Sequence, residues 1–473
     1  MGARHRGSPS TEATGHAVVI GAGMAGLAMA GALTHGYERV TVIDRDGLPA
    51  DTGHRTGTPQ DRHLHLLLPS GADALESVLP GLRDDLERAG AVPSDTDGIR
   101  MVLGGHRLAP ARMGHTGLIA SRPLVEAGVR RHIREHPAVT IREQGTVRGL
   151  VHDQDGGRVT GVRVAHTDDP AGELALACDL VVDCAGRGAR TEAWLVDAGY
   201  TPPAIDELRV DVRYETRTFN IDEDVLDGDL HVLVGPTPDD PRGGAMTRIG
   251  PDRWLVTLFA MAGESPPRDL EAFQRFAGTL PVDDIRTAID QGTEVGSPAS
   301  FRFPANVRRR YERLDHLPDG LLVAGDAVCS FNPIYGQGMS VAALEAAELT
   351  RWLRAGAPPS PAAWFEAIAP TVDGAWEMAT GADLAVRGVE GPRPLAVRVT
   401  GAYLARLQAG AAQDPVLARR FARAASLLDP PQALLRPSTA ARVARAALTG
   451  RARPVPARPR QGARAGSGGP GGG

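Results

Sequence analysis

Lysine is absent from the sequence, and arginine supplies all 52 basic side chains. Without lysine, the protein cannot form a Schiff base, use an ammonium group as a general acid or carry a lysine haloamine. Cysteine is scarce as well, and Cys178, Cys184 and Cys329 do not have the spacing of metal ligands. This pattern argues against a disulfide framework and a zinc site, and it favours the reducing cytoplasm. We therefore expect a cytoplasmic protein.

Long apolar runs are absent too. Residues 1–16 lack the hydrophobic segment of a secretory signal, and no stretch of about 18 or more uninterrupted apolar residues is present, so no membrane span is predicted. The net charge of −5 gives no reason to expect a nucleic-acid partner. With 473 residues, 42% hydrophobic and 23% charged, the chain is expected to fold as two or three packed domains.

A glycine-rich turn follows the first apolar run of the chain. The run from 17 to 20 is typical of a buried parallel strand, and Gly21, Gly23 and Gly26 come directly after it. In a dinucleotide fold, the first glycine makes the tight turn, the second lets the backbone approach the pyrophosphate, and the third lets helix and strand pack closely. The following helix then offers free N–H groups and a positive dipole end to the phosphates. The residues predicted to contact a cofactor here are Gly21, Gly23, Met24, Ala25 and Gly26.

A second predicted strand, from 40 to 43, ends at Asp44 and Arg45. A carboxylate at this position can accept hydrogen bonds from the hydroxyl groups of a ribose. The strand, turn, helix and second strand together predict a dinucleotide-binding unit, but they do not separate NAD from FAD.

A second motif lies far downstream, where a predicted strand runs into a Gly-Asp pair and then into a P-x-x-G-Q-G turn. With these residues the sequence resembles the group A flavin monooxygenases, the class of p-hydroxybenzoate hydroxylase and squalene monooxygenase. The resemblance implies that FAD is the cofactor, that Asp326 holds a ribityl hydroxyl and that the Pro333 turn lies beside the isoalloxazine. The helix after the turn would point its N-terminus at the pyrimidine edge and stabilise negative charge there. The residues assigned to this motif are Gly325, Asp326, Pro333, Gly336, Gly338 and Met339.

Other segments match the same family. Arg122 begins a predicted amphipathic helix and, by the resemblance, reaches the FAD phosphates, while the backbone at Val147 meets the adenine. Arg55 lies in a loop with His63 and His65. We expect this hydrogen-bonded loop to cover the flavin and Arg55 to lie near the cofactor. The two histidines lack a third ligand nearby, so no metal site is predicted.

One position departs from the family. The family has an Asp-Gly pair at a surface shared by FAD and NADPH, whereas here Ala185 precedes Gly186. The reductant is therefore NADPH or NADH, used directly or through a separate flavin reductase as partner.

A narrower resemblance concerns FAD-dependent epoxidases of bacterial secondary metabolism, including those that act on polyenes in polyether antibiotic pathways. It is carried by residues 55–65, 79–81, 184–188 and 329–333. The resemblance implies that O₂ reacts through a flavin C4a-hydroperoxide and that an alkene of a hydrophobic polyene or terpenoid is epoxidised. An alkene can attack the peroxide directly, so no catalytic side chain is assigned.

Other functions remain as alternatives. They are hydroxylation of an aromatic polyketide, double-bond reduction of the geranylgeranyl reductase type, and flavin binding without catalysis. A flavin halogenase is not predicted, because that family relies on a lysine and a W-x-W-x-I-P motif, and both are missing here.

The predicted fold class is α/β, with a Rossmann-like FAD-binding domain of the GR2 type, an antiparallel-sheet substrate domain and a helical C-terminal region. The FAD-binding domain is assigned to residues 15–80, 115–200 and 306–355, and the substrate domain to 81–114 and 201–305. Residues 356–448 form the helical region. A leader, 1–14, and a tail rich in Pro, Gly and Arg, 449–473, are expected to be disordered.

Overall fold

A computed structural model describes residues 14–166, 168–356 and 360–449. Nearly all of the predicted leader and tail therefore lies outside the described residues. The strands are β1 (His16–Ile20), β2 (Arg39–Ile43), β3 (Leu66–Leu67), β4 (Val92–Ser94), β5 (Ile99–Leu103), β6 (His106–Arg107), β7 (Gly117–Ile119), β8 (Val139–Arg142), β9 (Gly145–His152), β10 (Val159–His166), β11 (Asp169–Ala177), β12 (Leu180–Asp183), β13 (Ile205–Asn220), β14 (His231–Val234), β15 (Arg242–Arg248), β16 (Arg253–Ala260), β17 (Thr293–Arg309), β18 (Leu321–Val323) and β19 (Cys329–Ser330). The helices are α1 (Met24–Leu33), α2 (Pro69–Val78), α3 (Leu82–Arg88), α4 (Arg122–Glu135), α5 (Thr191–Asp197), α6 (Leu270–Ala277), α7 (Asp284–Gln291), α8 (Gly338–Arg354), α9 (Pro361–Ala385), α10 (Leu395–Ala411), α11 (Pro415–Ala425) and α12 (Pro437–Thr449).

A five-stranded parallel sheet carries both predicted motifs. Its strand order is β18-β12-β1-β2-β8, and every neighbouring pair is parallel. All residues of β1 are buried, as expected for a strand covered on both faces. Gly26 permits the close packing of α1, because a Cβ atom there would lie only 1.8 Å from the carbonyl oxygen of Gly21. The predicted α/β class, with β1, α1 and β2 in this order, is confirmed.

A second, eight-stranded sheet has the strand order β19-β17-β13-β16-β15-β14-β5-β6. One face packs on α6 and α7, where Val232, Val256 and Leu258 meet Phe273 and Ile285 in a buried cluster. The sequence predicted only strands and turns between about residues 205 and 305. That prediction missed α6 and α7, since each has eight residues and shows little more than two turns of periodicity.

Strand β13 is irregular near Thr216. Its register with β17 shifts between Thr216 and Thr218, while Thr216 stays paired with Thr257 of β16. Such a bulge bends a strand and redirects its side chains. Thr216 and Thr257 consequently present their hydroxyl groups side by side, 2.7 Å apart.

The region after residue 360 is helical, as predicted, and comprises α9 to α12. Trp364 of α9 is fully buried, and its indole N–H donates to the carbonyl oxygen of Val323, which ties the helix to the parallel sheet. In the described part of the chain, no helix is both long and apolar enough to cross a membrane. The predicted division into domains stays a prediction. Helix α3 lies in the segment assigned to the substrate domain, but its residues Leu82 and Leu86 pack in the core of the parallel sheet.

Candidate functional site

The two glycine motifs meet at the carboxyl edge of the parallel sheet, where α/β proteins bind their ligands. Gly21 has a φ of +96°, and a Cβ atom there would lie 2.8 Å from the carbonyl oxygen of Cys184, at the end of β12. Gly325 follows β18 with a φ of +64° and packs against Ala25. The turn after each of three adjacent strands therefore faces the same cleft.

The turn between β1 and α1 is open toward this cleft. Gly21, Gly23 and Ala25 are partly exposed, whereas Met24 and Gly26 are buried. A Cβ atom added to Gly23 would have open space around it, so the backbone can be approached closely by a ligand. Met24 is 4% exposed and packs in the core, so it can offer only its backbone.

A cluster of charged groups lies beside this turn. Asp44 accepts hydrogen bonds from the backbone N–H of Ala22 at 2.6 Å and from Arg55 at 3.1 Å. Arg55 also donates to the carbonyl oxygen of Ala22 at 2.7 Å and to Glu126 at 2.9 Å. Sequence reasoning missed Glu126, although it follows Arg122 by one helical turn in a helix that was predicted.

Arg122 lies near enough to Asp326 for its charge to act on the Asp326 carboxyl group. The Nε atom of Arg122 is buried without a hydrogen-bond partner among the described residues, and it lies 3.7 Å from Glu126. Asp326 is solvent-accessible and makes no hydrogen bond or ion pair within the described part of the chain. Desolvation by the cleft walls raises the pKa of its carboxyl group, against the opposing charges of Arg122, Arg187 and Arg309.

The remaining predicted residues fall around the same cleft or behind it. Arg45 is exposed next to Asp44, and the backbone N–H of Gly145, at the start of β9, donates to the carbonyl oxygen of Asp44 at 2.9 Å. The side chains of Val147 and Met339 are buried in the core. These two residues can therefore contribute backbone contacts only.

The P-x-x-G-Q-G turn precedes the N-terminus of α8. Pro333 is exposed, Gly336 has a φ of +68°, and neither Gly336 nor Gly338 has an atom within 4 Å of an added Cβ. Open backbone, an unpartnered carboxylate and an unpartnered arginine nitrogen match the needs of FAD, which has a pyrophosphate, a ribityl chain and a ring with polar edges. The residues present thus fit this cofactor.

Two buried acids hold the second motif in place. Glu345 of α8 accepts from the backbone N–H of Gly325 at 2.7 Å, and burial raises its pKa to about 7. Asp383 of α9 accepts from Asn332 at 2.8 Å and from the hydroxyl of Tyr335 at 2.7 Å, and burial raises its pKa to about 6. Neither acid was predicted from the sequence.

A cavity of about 600 Å³ extends from the same turn. Pro333, Ile334 and Tyr335 line one part of it, and the face of the eight-stranded sheet opposite α6 and α7 lines another. Its lining is mostly apolar, as is usual for small-molecule sites of this size. Some lining residues in the C-terminal region are exposed, such as Thr400 and Leu435, and we take them as the mouth of the cavity.

The two histidines of the predicted covering loop also line this cavity. His63 bonds through Nδ1 to the hydroxyl of Thr216 at 2.7 Å, and Nδ1 of His65 bonds to the carbonyl oxygen of His63 at 2.9 Å. Among the described residues, no group of three or more His, Cys, Asp or Glu side chains could hold a metal ion. The three cysteines are free and buried.

The position that departs from the family lies next to Asp326. Ala185 is exposed, and a Cβ atom on Gly186 would lie 3.9 Å from the Cβ of Asp326. Arg187 donates to the carbonyl oxygen of Ala305 at 2.9 Å and to the hydroxyl of Ser330 at 2.7 Å. One nitrogen of its guanidinium, Nη1, is thus already bound to the protein.

Known proteins similar to this chain include flavoproteins. Residues 15–356 match the FAD binding domain family. Protein Rv3254 of Mycobacterium tuberculosis is 35% identical over 431 residues, which are 88% of this chain and 90% of that protein. The flavin-dependent brominase Bmp2 has a TM-score of 0.63 at 17% identity, over 92% of this chain and 99% of its own. The p-nitrophenol 4-monooxygenase PnpA from Pseudomonas putida DLL-E4 has a TM-score of 0.57 at 22% identity, over 89% and 99%.

The two solved structures, each below 25% identity, share the fold with this chain. The fold and the family match define an FAD-binding protein with a Rossmann-like parallel sheet. The chain belongs to the FAD binding domain family of flavoenzymes.

Proposed function

We propose that this chain is an FAD-dependent monooxygenase that transfers one oxygen atom of O₂ to an alkene of a hydrophobic polyene or terpenoid. The observation that carries the proposal is the large apolar cavity that begins at the Pro333 turn. When bound, FAD would activate O₂ with two electrons from NADPH or NADH, and the second oxygen atom would leave as water.

The residues of the chain would position the cofactor and keep the reaction dry. The backbone of Gly23 would approach the pyrophosphate, Arg122 would offer its unpartnered Nε to a phosphate, and Asp326 would accept from a ribityl hydroxyl. The N-terminal dipole of α8 would favour negative charge beside Gly336. The apolar lining of the cavity would exclude water from the substrate.

Hydroxylation of an aromatic polyketide is the second candidate. It is favoured by a group of three aromatic residues that line the cavity. The ring centroid of Tyr214 lies 6.1 Å from that of Phe259 and 6.0 Å from that of Phe301. Hydroxylation of a phenol usually needs a base. Among the described lining residues the only carboxylate is that of Glu377, which is exposed on α9. Burial lowers the pKa of each of the four lining histidines, which makes them weak bases. An alkene requires no such group, and we therefore prefer epoxidation.

The test supplies the purified FAD-bound protein with a reductant, a set of polyenes and ¹⁸O₂. Incorporation of one labelled oxygen atom into an epoxide is the expected result. A phenol product carrying the label would favour the second candidate. Saturation of a double bond without oxygen uptake would contradict both and indicate a reductase.

A further inference from the structure

Apart from the exposed Glu377, the lining of the cavity has no charged side chain among the described residues. Although the chain has 52 arginines, none lines the cavity among the described residues, and the exposed Glu377 is the only acid there. Burial lowers the pKa of His63 to about 4 and of His231 to about 3. It lowers the pKa of His65 to about 3 and that of His106 as well. At neutral pH these four histidines therefore carry no charge.

A lining without cations constrains the ligand. A carboxylate or phosphate inside the cavity would find no cation to pair with, and burying an unpaired charge is very costly. A ligand seated within the cavity therefore carries no negative charge there, or keeps an anionic group outside the cavity.

Three lining residues nevertheless have buried polar atoms without a partner in the described part of the chain. They are Nε2 of His63, Nδ1 of His106 and Oε1 of Gln337. Their residues are 5%, 9% and 2% exposed. Buried polar atoms are nearly always hydrogen-bonded in native proteins, so unpartnered atoms in the cavity lining are available for contacts with a ligand.

The hydrogen bonds around His63 define what its free nitrogen offers. The backbone N–H of Leu64 donates to the hydroxyl of Thr257 at 3.4 Å, Thr257 meets Thr216 at 2.7 Å, and Thr216 meets Nδ1 of His63 at 2.7 Å. If each hydroxyl donates to the next group, both hydroxyl hydrogens of this series of hydrogen bonds are used, and Nδ1 of His63 is the acceptor. The neutral ring then carries its proton on Nε2.

The ring of His63 is also held in place by aromatic neighbours. Its centroid lies 5.8 Å from that of Tyr214 and 5.5 Å from that of Phe301. With its proton on Nε2, the imidazole is a positioned hydrogen-bond donor in the mostly apolar lining of the cavity, which also reaches the Pro333 turn.

The cavity runs across the width of the eight-stranded sheet. Lining residues extend from Phe301 on β17 to His106 on β6, which are separated by six interstrand steps. At about 4.8 Å per step, this is a span of up to about 29 Å. A long molecule fits such a shape better than a compact one.

We propose that the cavity binds a neutral, elongated, apolar molecule with an oxygen acceptor, and that Nε2–H of His63 donates a hydrogen bond to this oxygen. The inference rests on the proposed function and specifies its substrate class. His63 would then be a substrate-binding residue.

The test measures binding to the FAD-bound protein by equilibrium dialysis, without turnover. Three probes share one farnesyl skeleton: methyl farnesoate is neutral and has an oxygen acceptor, farnesoic acid is an anion, and farnesene is a hydrocarbon. The wild-type protein should bind methyl farnesoate about two- to tenfold more tightly than farnesene, the value of one neutral hydrogen bond. Farnesoic acid should bind about tenfold more weakly than the ester, or worse.

Two variants separate the hydrogen bond from the packing of the ring. His63→Phe keeps an aromatic ring without the donor, and it should bind the ester and the hydrocarbon equally. His63→Gln keeps an N–H donor and should restore the preference. FAD content and melting temperature of both variants establish that they are folded; if His63→Phe does not fold, the comparison of His63→Gln with His63→Met replaces it.

Each other outcome overturns the inference. Equal binding of acid and ester would refute a cavity that disfavours anions, and a preference retained in His63→Phe would refute the role of His63. Failure of wild type to bind any probe would refute the substrate class. Because turnover is not measured, a chain that lacks monooxygenase activity but discriminates these probes would disprove the proposed function alone.

Discussion

A Cβ atom on Gly325 would lie 2.6 Å from the Cβ of Ala25. This contact joins the two motifs that we assign to the FAD cleft, although they lie far apart in the sequence. Glu345 supports it from behind, because it accepts from the backbone N–H of Gly325 at 2.7 Å. The geometry of the whole cleft therefore depends on a glycine at position 325.

Gly325→Ala should lower both melting temperature and flavin content. The φ of +64° costs a residue with a side chain about 1–2 kcal/mol, and the contact with Ala25 adds overlap. Gly188→Ala is the matched control, since a Cβ atom there meets nothing within 4 Å. Thermal unfolding and flavin absorbance of both purified variants provide the measurement. Equal behaviour of the two would show that the contact does not shape the site.

Short-range motifs explain how much of this cleft was predictable. The spacing of Gly21, Gly23 and Gly26 reflects local steric demands, which can be read without knowing the rest of the fold. The Gly-Asp pair and the Pro333 turn were recognised in the same way. The strands and helices that carry them were predicted for the same reason.

Contacts between distant segments were not predictable. Asp383 reaches Asn332 and Tyr335 from another helix, and Thr216 meets His63 only because two strands and a loop pack together. No local pattern marks either pair. The short helices α6 and α7 were missed because they have too few turns to be distinguished from the strands around them.

Asp326→Ala should weaken FAD binding without destabilising the apoprotein. A hydrogen bond to a charged carboxylate contributes about 1.5–3 kcal/mol, so affinity should fall about ten- to hundredfold. Asp326 has no partner in the described part of the chain, so its removal breaks no internal bond. Titration of apoprotein with FAD, followed by fluorescence, measures the first effect, and thermal unfolding measures the second.

Asp44→Ala provides the contrast. It should weaken FAD binding and also destabilise the apoprotein, because Arg55 and the backbone N–H of Ala22 both lose an acceptor. Wild-type FAD affinity in Asp326→Ala would place the ribityl site elsewhere.

Glu345→Gln should abolish one component of the pH dependence of stability. Burial raises the pKa of Glu345 from 4.5 to about 7, so the folded state binds more protons between these values. Its contribution to stability is full below pH 4.5 and is lost as the pH rises through about 7. The difference in unfolding free energy, Glu345→Gln minus wild type, should therefore increase by about 3 kcal/mol from pH 4 to pH 8.

Glu348→Gln on the same helix is the control for this measurement. A hydrogen bond from Arg351 lowers the pKa of Glu348, so its contribution is present above its unfolded pKa and lost as the pH falls. The variant should change with pH in the opposite direction. Denaturant titrations of the FAD-bound proteins give the free energies, and a flat difference for Glu345→Gln would mean that the acid is already ionised when buried.

Ala185 bears on the source of the electrons that reduce the flavin. The family places a carboxylate here, beside the surface that FAD shares with NADPH, whereas Ala185 is exposed and offers no acceptor. Arg187, which could receive a phosphate, already uses its Nη1 atom to hold Ala305 and Ser330. We expect slow reduction by NADPH or NADH alone and faster reduction when a separate flavin reductase is added. Anaerobic stopped-flow measurements of the oxidised-flavin absorbance, with and without substrate, provide the comparison. Ala185→Asp should accelerate direct reduction about tenfold, the value of one charge-assisted hydrogen bond, whereas Ala189→Asp should not. Fast reduction of the wild-type protein by NADPH alone would show that the missing carboxylate is not needed and that the protein works as a single component.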